Sequence, residues 1–105
     1  MVNQIISEST RIFISDDIIA KLQGSDKRAD KLQKRGINCY TPSYLVNVYV
    51  DIKFFRMGMF PKTEEFIQDL VEINDRCTDR ELPIIYNLVR RNLREAYSDF
   101  LTIKV

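Results

Sequence analysis

Hydrophobic positions fall on helical spacing in three stretches of the chain. After Ser15 and the acidic pair Asp16 and Asp17, the less polar positions are Ile18, Leu22, Ser25, Ala29 and Leu32. Steps of three and four predict one amphipathic helix with a Ser cap and an acidic first turn. Gly24 lies off that stripe and is tolerated at about 1 kcal/mol relative to Ala. The alternative is a break there, with Ser25 capping a second helix. Gly36 supplies a C-terminal stop either way. The second stretch follows Pro61 and Thr63. Phe66, Leu70, Ile73 and Cys77 form its stripe, widened by Ile67 and Val71, while Glu65, Asp69, Glu72 and Asp75 occupy the other face. Thr63 is the expected cap. The third stretch opens on Thr78 and Glu81, spaced as a capping box. Pro83 moves the expected start of regular helix to its own position. Leu82, Ile85, Val89, Leu93, Ala96 and Phe100 then run at helical steps, with Asn87, Arg91, Arg94 and Ser98 roughly opposite.

Three other stretches read as period two. Thr10 to Ser15 ("TRIFIS") is short and rich in strand formers. From Thr41 to Gly58 the signals conflict. Thr41, Pro42 and Gly58 punctuate a helix, but Val46, Val48, Val50, Ile52 and Phe54 alternate with Asn47, Tyr49, Asp51 and Lys53. A helix here would be apolar on nearly every side and would need full burial, so the alternation favours a strand. Leu101, Ile103 and Val105 alternate at the end of the sequence. The expected fold is therefore a single α+β domain over 1–105, mainly helical, with amphipathic helices on a small sheet from 10–14, 45–55 and 101–105. If 42–57 is helical, the expectation becomes an all-α helical bundle.

Composition narrows the chemistry. The 105 residues are 45% hydrophobic, enough for one compact core. No segment approaches the ~20 apolar residues of a membrane span, so no membrane partner is expected. The opening "MVNQIISEST" has no basic stretch followed by an apolar one, which argues against a secretory signal. Cys39 and Cys77 stand far apart, without the paired spacing of a disulfide framework or a zinc site, so a reducing, cytoplasmic setting is expected. The chain has no histidine and only three glycines. Ser-His and Cys-His nucleophile pairs and a phosphate-cradling Gly-rich loop therefore cannot be built. No cofactor, metal site or catalytic set is expected.

Charge is nearly balanced in total, at +1, but unevenly spread. Residues 21–35 carry six basic and two acidic groups, whereas 64–81 carry seven acidic and two basic groups. Lys27, Arg28, Lys31, Lys34 and Arg35 span about 120° of a helix and share one face. Such a face suits phosphates with little sequence reading, or carboxylates on a protein. No aromatic residue interleaves it to stack on bases. Ala20 and Gly24 have the spacing of a helix-turn-helix, but the inward slots of the second helix then fall on Asp30 and Gln33, one step from Ala29 and Leu32. Arg90, Arg91 and Arg94 form a second basic cluster, partly offset by Glu95.

One catalytic pattern can be written. Asp51 and Lys53, on one side of a strand with Ile52 on the other, resemble the closing half of metal-dependent nucleases of the PD-(D/E)xK type. That resemblance implies an acid holding Mg²⁺ and a lysine orienting water. It covers three residues, and the Pro-Asp half is missing upstream.

Tyr40, Tyr44, Tyr49, Phe54, Phe55, Met57, Met59 and Phe60 crowd one region. So many large side chains in a small domain point to an interface as well as a core. The functional expectation is a small non-catalytic regulator, adaptor or inhibitor. It would bind another protein, or its own copy, through charged and aromatic surfaces. The alternative is a nucleic-acid-binding protein using 27–35, and the remote alternative is the nuclease.

Overall fold

The computed structural model describes residues 5–104 and is helical throughout, with no strand among them. The small sheet is thus replaced by the all-α bundle. α1 (Glu8–Arg11) is a single turn, α2 (Asp16–Lys34) and α3 (Pro42–Val50) follow, and α3 runs on into a π-helical turn at Asp51–Arg56. α4 (Thr63–Arg76) and α5 (Leu82–Lys104) complete the chain.

The three expected strands fail for different reasons. In 10–14, Thr10 and Ile14 are buried while Ile12 is 74% exposed. A strand would put all three on one face. Ser7 instead accepts from the Thr10 backbone N–H and starts a helical turn. The 101–105 segment has no sheet to join and extends α5 to Lys104, while Val105 lies outside the described residues.

The 45–55 segment is the central helix. α3 packs against α1, α2, α4 and α5, so most of its apolar surface is covered, while Asn47, Val48 and Tyr49 remain half-buried. Leu45, Val46 and Val50 are completely buried. β-branched Val46, Val48, Val50 and Ile52 cost together about 2 kcal/mol in helix propensity. Burial of each large apolar side chain returns about 1.5–3 kcal/mol, so packing wins. The punctuation was the better guide. Thr41 Oγ1 accepts from Tyr44 N at 3.1 Å, with Pro42 in the first turn. In the π-helical turn Met57 N–H bonds Ile52 O at 2.9 Å, and Gly58 takes φ +67° to let the chain leave.

α2 is one continuous helix of 19 residues through Gly24. Its buried stripe is Ile19, Leu22, Ser25, Ala29 and Leu32, with Ile18 half-buried at its edge. Gly36, at φ +84°, ends it. Ser15 occupies the cap position, but its N–H and Oγ both donate to Glu64 of α4. Thr63 is the first residue of α4 and not its cap, which is Lys62; the Thr63 hydroxyl is buried without a partner among the described residues. The capping box forms as expected. Thr78 N–H donates to Glu81 Oε1 at 3.0 Å, and Glu81 N–H to Thr78 Oγ1 at 3.2 Å. Leu82 and Tyr86 carry α5 into the core opposite Leu70, whose carbonyl accepts from the Tyr86 hydroxyl.

Candidate functional site

The basic face of α2 is partly consumed by the fold. Lys27, Lys31, Lys34 and Arg35 are exposed, but Arg28 is half-buried. It donates to the backbone carbonyls of Asn74 and Cys77, at the end of α4, and to Asp79 at 2.9 Å. These are terminal carbonyls that the helix cannot satisfy by itself. Arg35 lies 3.6 Å from the other oxygen of Asp79. Two of the five cations therefore already face a carboxylate of their own chain.

Asp26 points to the other side of α2. Its carboxylate accepts from the Ser43 N–H at 2.9 Å and from the Ser43 hydroxyl, capping the first turn of α3. Burial raises its pKa, against the lowering effect of the Ser43 hydrogen bonds. This pairing explains why Ser25 and Asp26 lie inward while Lys27 remains exposed.

The second basic cluster divides. Arg90 Nε donates to the Tyr44 hydroxyl at 3.0 Å, and its guanidinium lies 5.2 Å from the centre of the Tyr40 ring. That hydrogen bond raises the Arg90 pKa. Arg91 is exposed, and Arg94 reaches a cleft between the π-helical turn and α5.

The strand frame for the nuclease pair is absent. Asp51 and Lys53 lie on the π-helical turn, and Asp51 Oδ2 accepts from Arg56 Nε at 3.0 Å. No cluster of three or more His, Cys, Asp or Glu side chains is placed to hold a metal among the described residues. Burial raises the Cys39 pKa to about 11, so at neutral pH this side chain is a thiol.

The aromatic region separates into an inner and an outer group. Tyr40 stacks on Tyr44 with ring centres 4.8 Å apart, and Tyr49 on Phe66 at 4.3 Å. These tyrosines are half-buried structural contacts. Phe54, Phe55, Met59 and Phe60 remain outside, at 37%, 55%, 47% and 81% exposed. The half-buried Phe13 anchors them. Its ring centre is 4.9 Å from Phe54 and 5.6 Å from Phe60, both edge to face, and Phe54 meets Phe55 edge to face at 5.1 Å. Ile12 stands exposed beside Phe13. Sequence reasoning missed Ile12 and Phe13 because it assigned them to a strand. Together these side chains present on the order of 500 Å² of apolar surface, within the range of the largest patch on an ordinary monomer, which is often functional.

The cause is the π-helical turn. It buries Ile52 while turning Phe54 and Phe55 outward, and such turns are frequent at functional sites. Cations flank the patch in sequence: Arg11 before Ile12, Lys53 before Phe54, and Lys62 after Phe60. No helix among the described residues is long and apolar enough to cross a membrane. Comparison with protein-family models, curated proteins and solved structures returns no match to this chain.

Proposed function

We propose that this protein is a non-catalytic binding module, acting as a regulator, adaptor or inhibitor by docking another protein on its aromatic patch. The observation that carries this reading is the exposed group Phe54, Phe55, Met59 and Phe60, of which Phe54 and Phe60 are braced by ring contacts to Phe13. Exposed aromatics held in fixed positions lose little entropy on binding, which suits them to be anchors. Arg11, Lys53 and Lys62 flank the patch in sequence, and Lys62 lines a groove with Phe13 and Phe60 in which Glu64 and Glu65 also take part; the three cations support the choice of occupant. That occupant is a foreign polypeptide segment with apolar anchors and acidic flanks, because complementary charge guides encounter and fixes register.

The test is selection from a peptide library on the folded protein. The reading expects enriched peptides with apolar anchors beside Asp or Glu, whose binding is lost with Phe55→Ser plus Phe60→Ser. Peptides whose binding survives those changes contradict it. Concentration-dependent dimerisation abolished by Phe60→Ser contradicts the foreign occupant, because the patch then serves a second copy. Tight binding to anionic vesicles that depends on the same phenylalanines contradicts a protein partner.

The basic face of α2 supports a weaker reading as a nucleic-acid contact. Lys27, Lys31, Lys34 and Arg35 are exposed for it, while Arg28 is engaged by Asp79.

A further inference from the structure

The cleft between the π-helical turn and α5 shares no lining residue with the aromatic patch. It has a volume of about 350 Å³ and is lined by Val48, Asp51, Ile52, Arg56, Arg94 and Tyr97. That volume is at the small end of ligand pockets and suits a group the size of one amino-acid residue.

Arg56 is held from two directions. Its Nε donates to Asp51 at 3.0 Å, and its guanidinium lies 5.6 Å from the centre of the Tyr97 ring. A guanidinium carries five N–H donors, and this arrangement occupies the one on Nε. The remaining donors sit on a half-exposed guanidinium that these two contacts steer towards the cleft. Arg94 lines the same cleft from α5, with no hydrogen bond or ion pair among the described residues. Val48, Ile52 and the Tyr97 ring supply apolar wall.

We infer that this cleft binds a carboxylate borne on an apolar group, its oxygens received by Arg56 and Arg94 and its apolar body by Val48, Ile52 and Tyr97. Two guanidiniums and the Asp51 carboxylate leave one positive charge, which a monoanion neutralises. The fork geometry of Arg matches the two oxygens of a carboxylate, and the apolar wall of Val48, Ile52 and Tyr97 favours an acid with an apolar body over inorganic phosphate. The same chemistry is offered by a small free acid and by the C-terminus of a polypeptide ending in an apolar residue.

The experiment is titration of the full chain followed by NMR, read at the Tyr97 ring. The probes are N-acetyl-leucine, N-acetyl-leucinamide, inorganic phosphate, and a tetrapeptide ending in leucine with a free or amidated terminus. N-acetyl-leucine should saturate with a Kd on the order of 1 mM or tighter. The amides and phosphate should bind at least about tenfold more weakly. Arg94→Gln should weaken N-acetyl-leucine about tenfold or more, as expected for a lost charge-assisted hydrogen bond. Arg94→Lys, which keeps the charge but not the fork, should lose less. A free-terminus peptide tighter than N-acetyl-leucine assigns a polypeptide end, and one equal or weaker assigns a small acid. Failure to saturate, equal binding of the amide or phosphate, or unchanged affinity in both Arg94 variants overturns the inference. None of these outcomes depends on Phe55 or Phe60, so the docking reading stands or falls separately.

Discussion

Arg28 and Asp79 meet at 2.9 Å, and the same guanidinium donates to the backbone carbonyls of Asn74 and Cys77. The contact joins α2 to the end of α4 and to the loop that leads into α5. It takes a side chain that sequence placed on a binding face and makes it part of the fold.

The carbonyl contacts should matter more than the ion pair. Arg28→Ala removes donors from part-buried carbonyls and should cost about 2–3 kcal/mol. Asp79→Ala removes a partner that is 54% exposed and should cost at most about 0.5–1 kcal/mol. Urea denaturation of both variants checks the order. Equal losses would show that the ion pair dominates.

The same geometry limits electrostatic binding to nucleic acid. With Arg28 taken up by Asp79 and the Asn74 and Cys77 carbonyls, Lys27, Lys31, Lys34 and the exposed Arg35 remain, so about four phosphates can be neutralised. The slope of log K against log salt for a generic duplex should then be no steeper than about −3.6. A salt series measures it, and a slope near −5 would show that all five cations engage.

Arg90 should act in stability. Arg90→Ala loses the Tyr44 hydrogen bond and the stacking on Tyr40, together about 1–2 kcal/mol. Arg90→Lys keeps the charge but not the planar fork and should recover less than half of that. Thermal unfolding of the two variants, compared with Arg91→Ala as an exposed control, reads the difference.

Asp26 should give a pH signature of definite sign. Burial raises its pKa above the ordinary 3.8 despite the Ser43 hydrogen bonds. Between the ordinary and the raised value the folded state binds more protons than the unfolded state. This carboxyl therefore destabilises the fold above its raised pKa, and that penalty is relieved as pH falls towards 3.8. Asp26→Asn retains an acceptor for Ser43 N–H and removes the titration. The stability of the natural chain minus that of Asp26→Asn should rise as pH falls from 7 to 4, measured by urea denaturation. A difference that falls or stays level contradicts the assignment.

The helices at 16–34 and 63–76 and the last helix as far as Phe100 were legible because one face of each meets solvent, leaving a periodic record in the sequence; the final turn of α5 was mistaken for a strand because Leu101, Ile103 and Val105 alternate. Gly36 and the Thr78–Glu81 capping box were legible because they act through their own backbone. The central helix was not. A segment packed against four neighbouring helices is apolar on most sides, with only a narrow half-buried strip at Asn47, Val48 and Tyr49, so its period is masked and the valines of α3 imitate a strand. Arg28 and Arg90 were readable as cations, but their partners, Asn74, Cys77, Tyr40 and Tyr44, lie far off in sequence. Four of the six residues of the apolar patch, Phe54, Phe55, Met59 and Phe60, were legible as part of a crowd of large side chains. Phe13 entered it only through the packing of the segment before α2 against the π-helical turn.

The most direct test of the docking account is the Kd of a library-selected peptide for the natural chain and for Phe55→Ser plus Phe60→Ser. Both phenylalanines are exposed but each makes one edge-to-face ring contact, so each change should cost about 0.5–1.5 kcal/mol, checked by thermal unfolding. The account predicts an intact fold and a Kd raised about 30-fold or more, as for loss of a binding hot spot. An unchanged Kd in a folded double variant would contradict it.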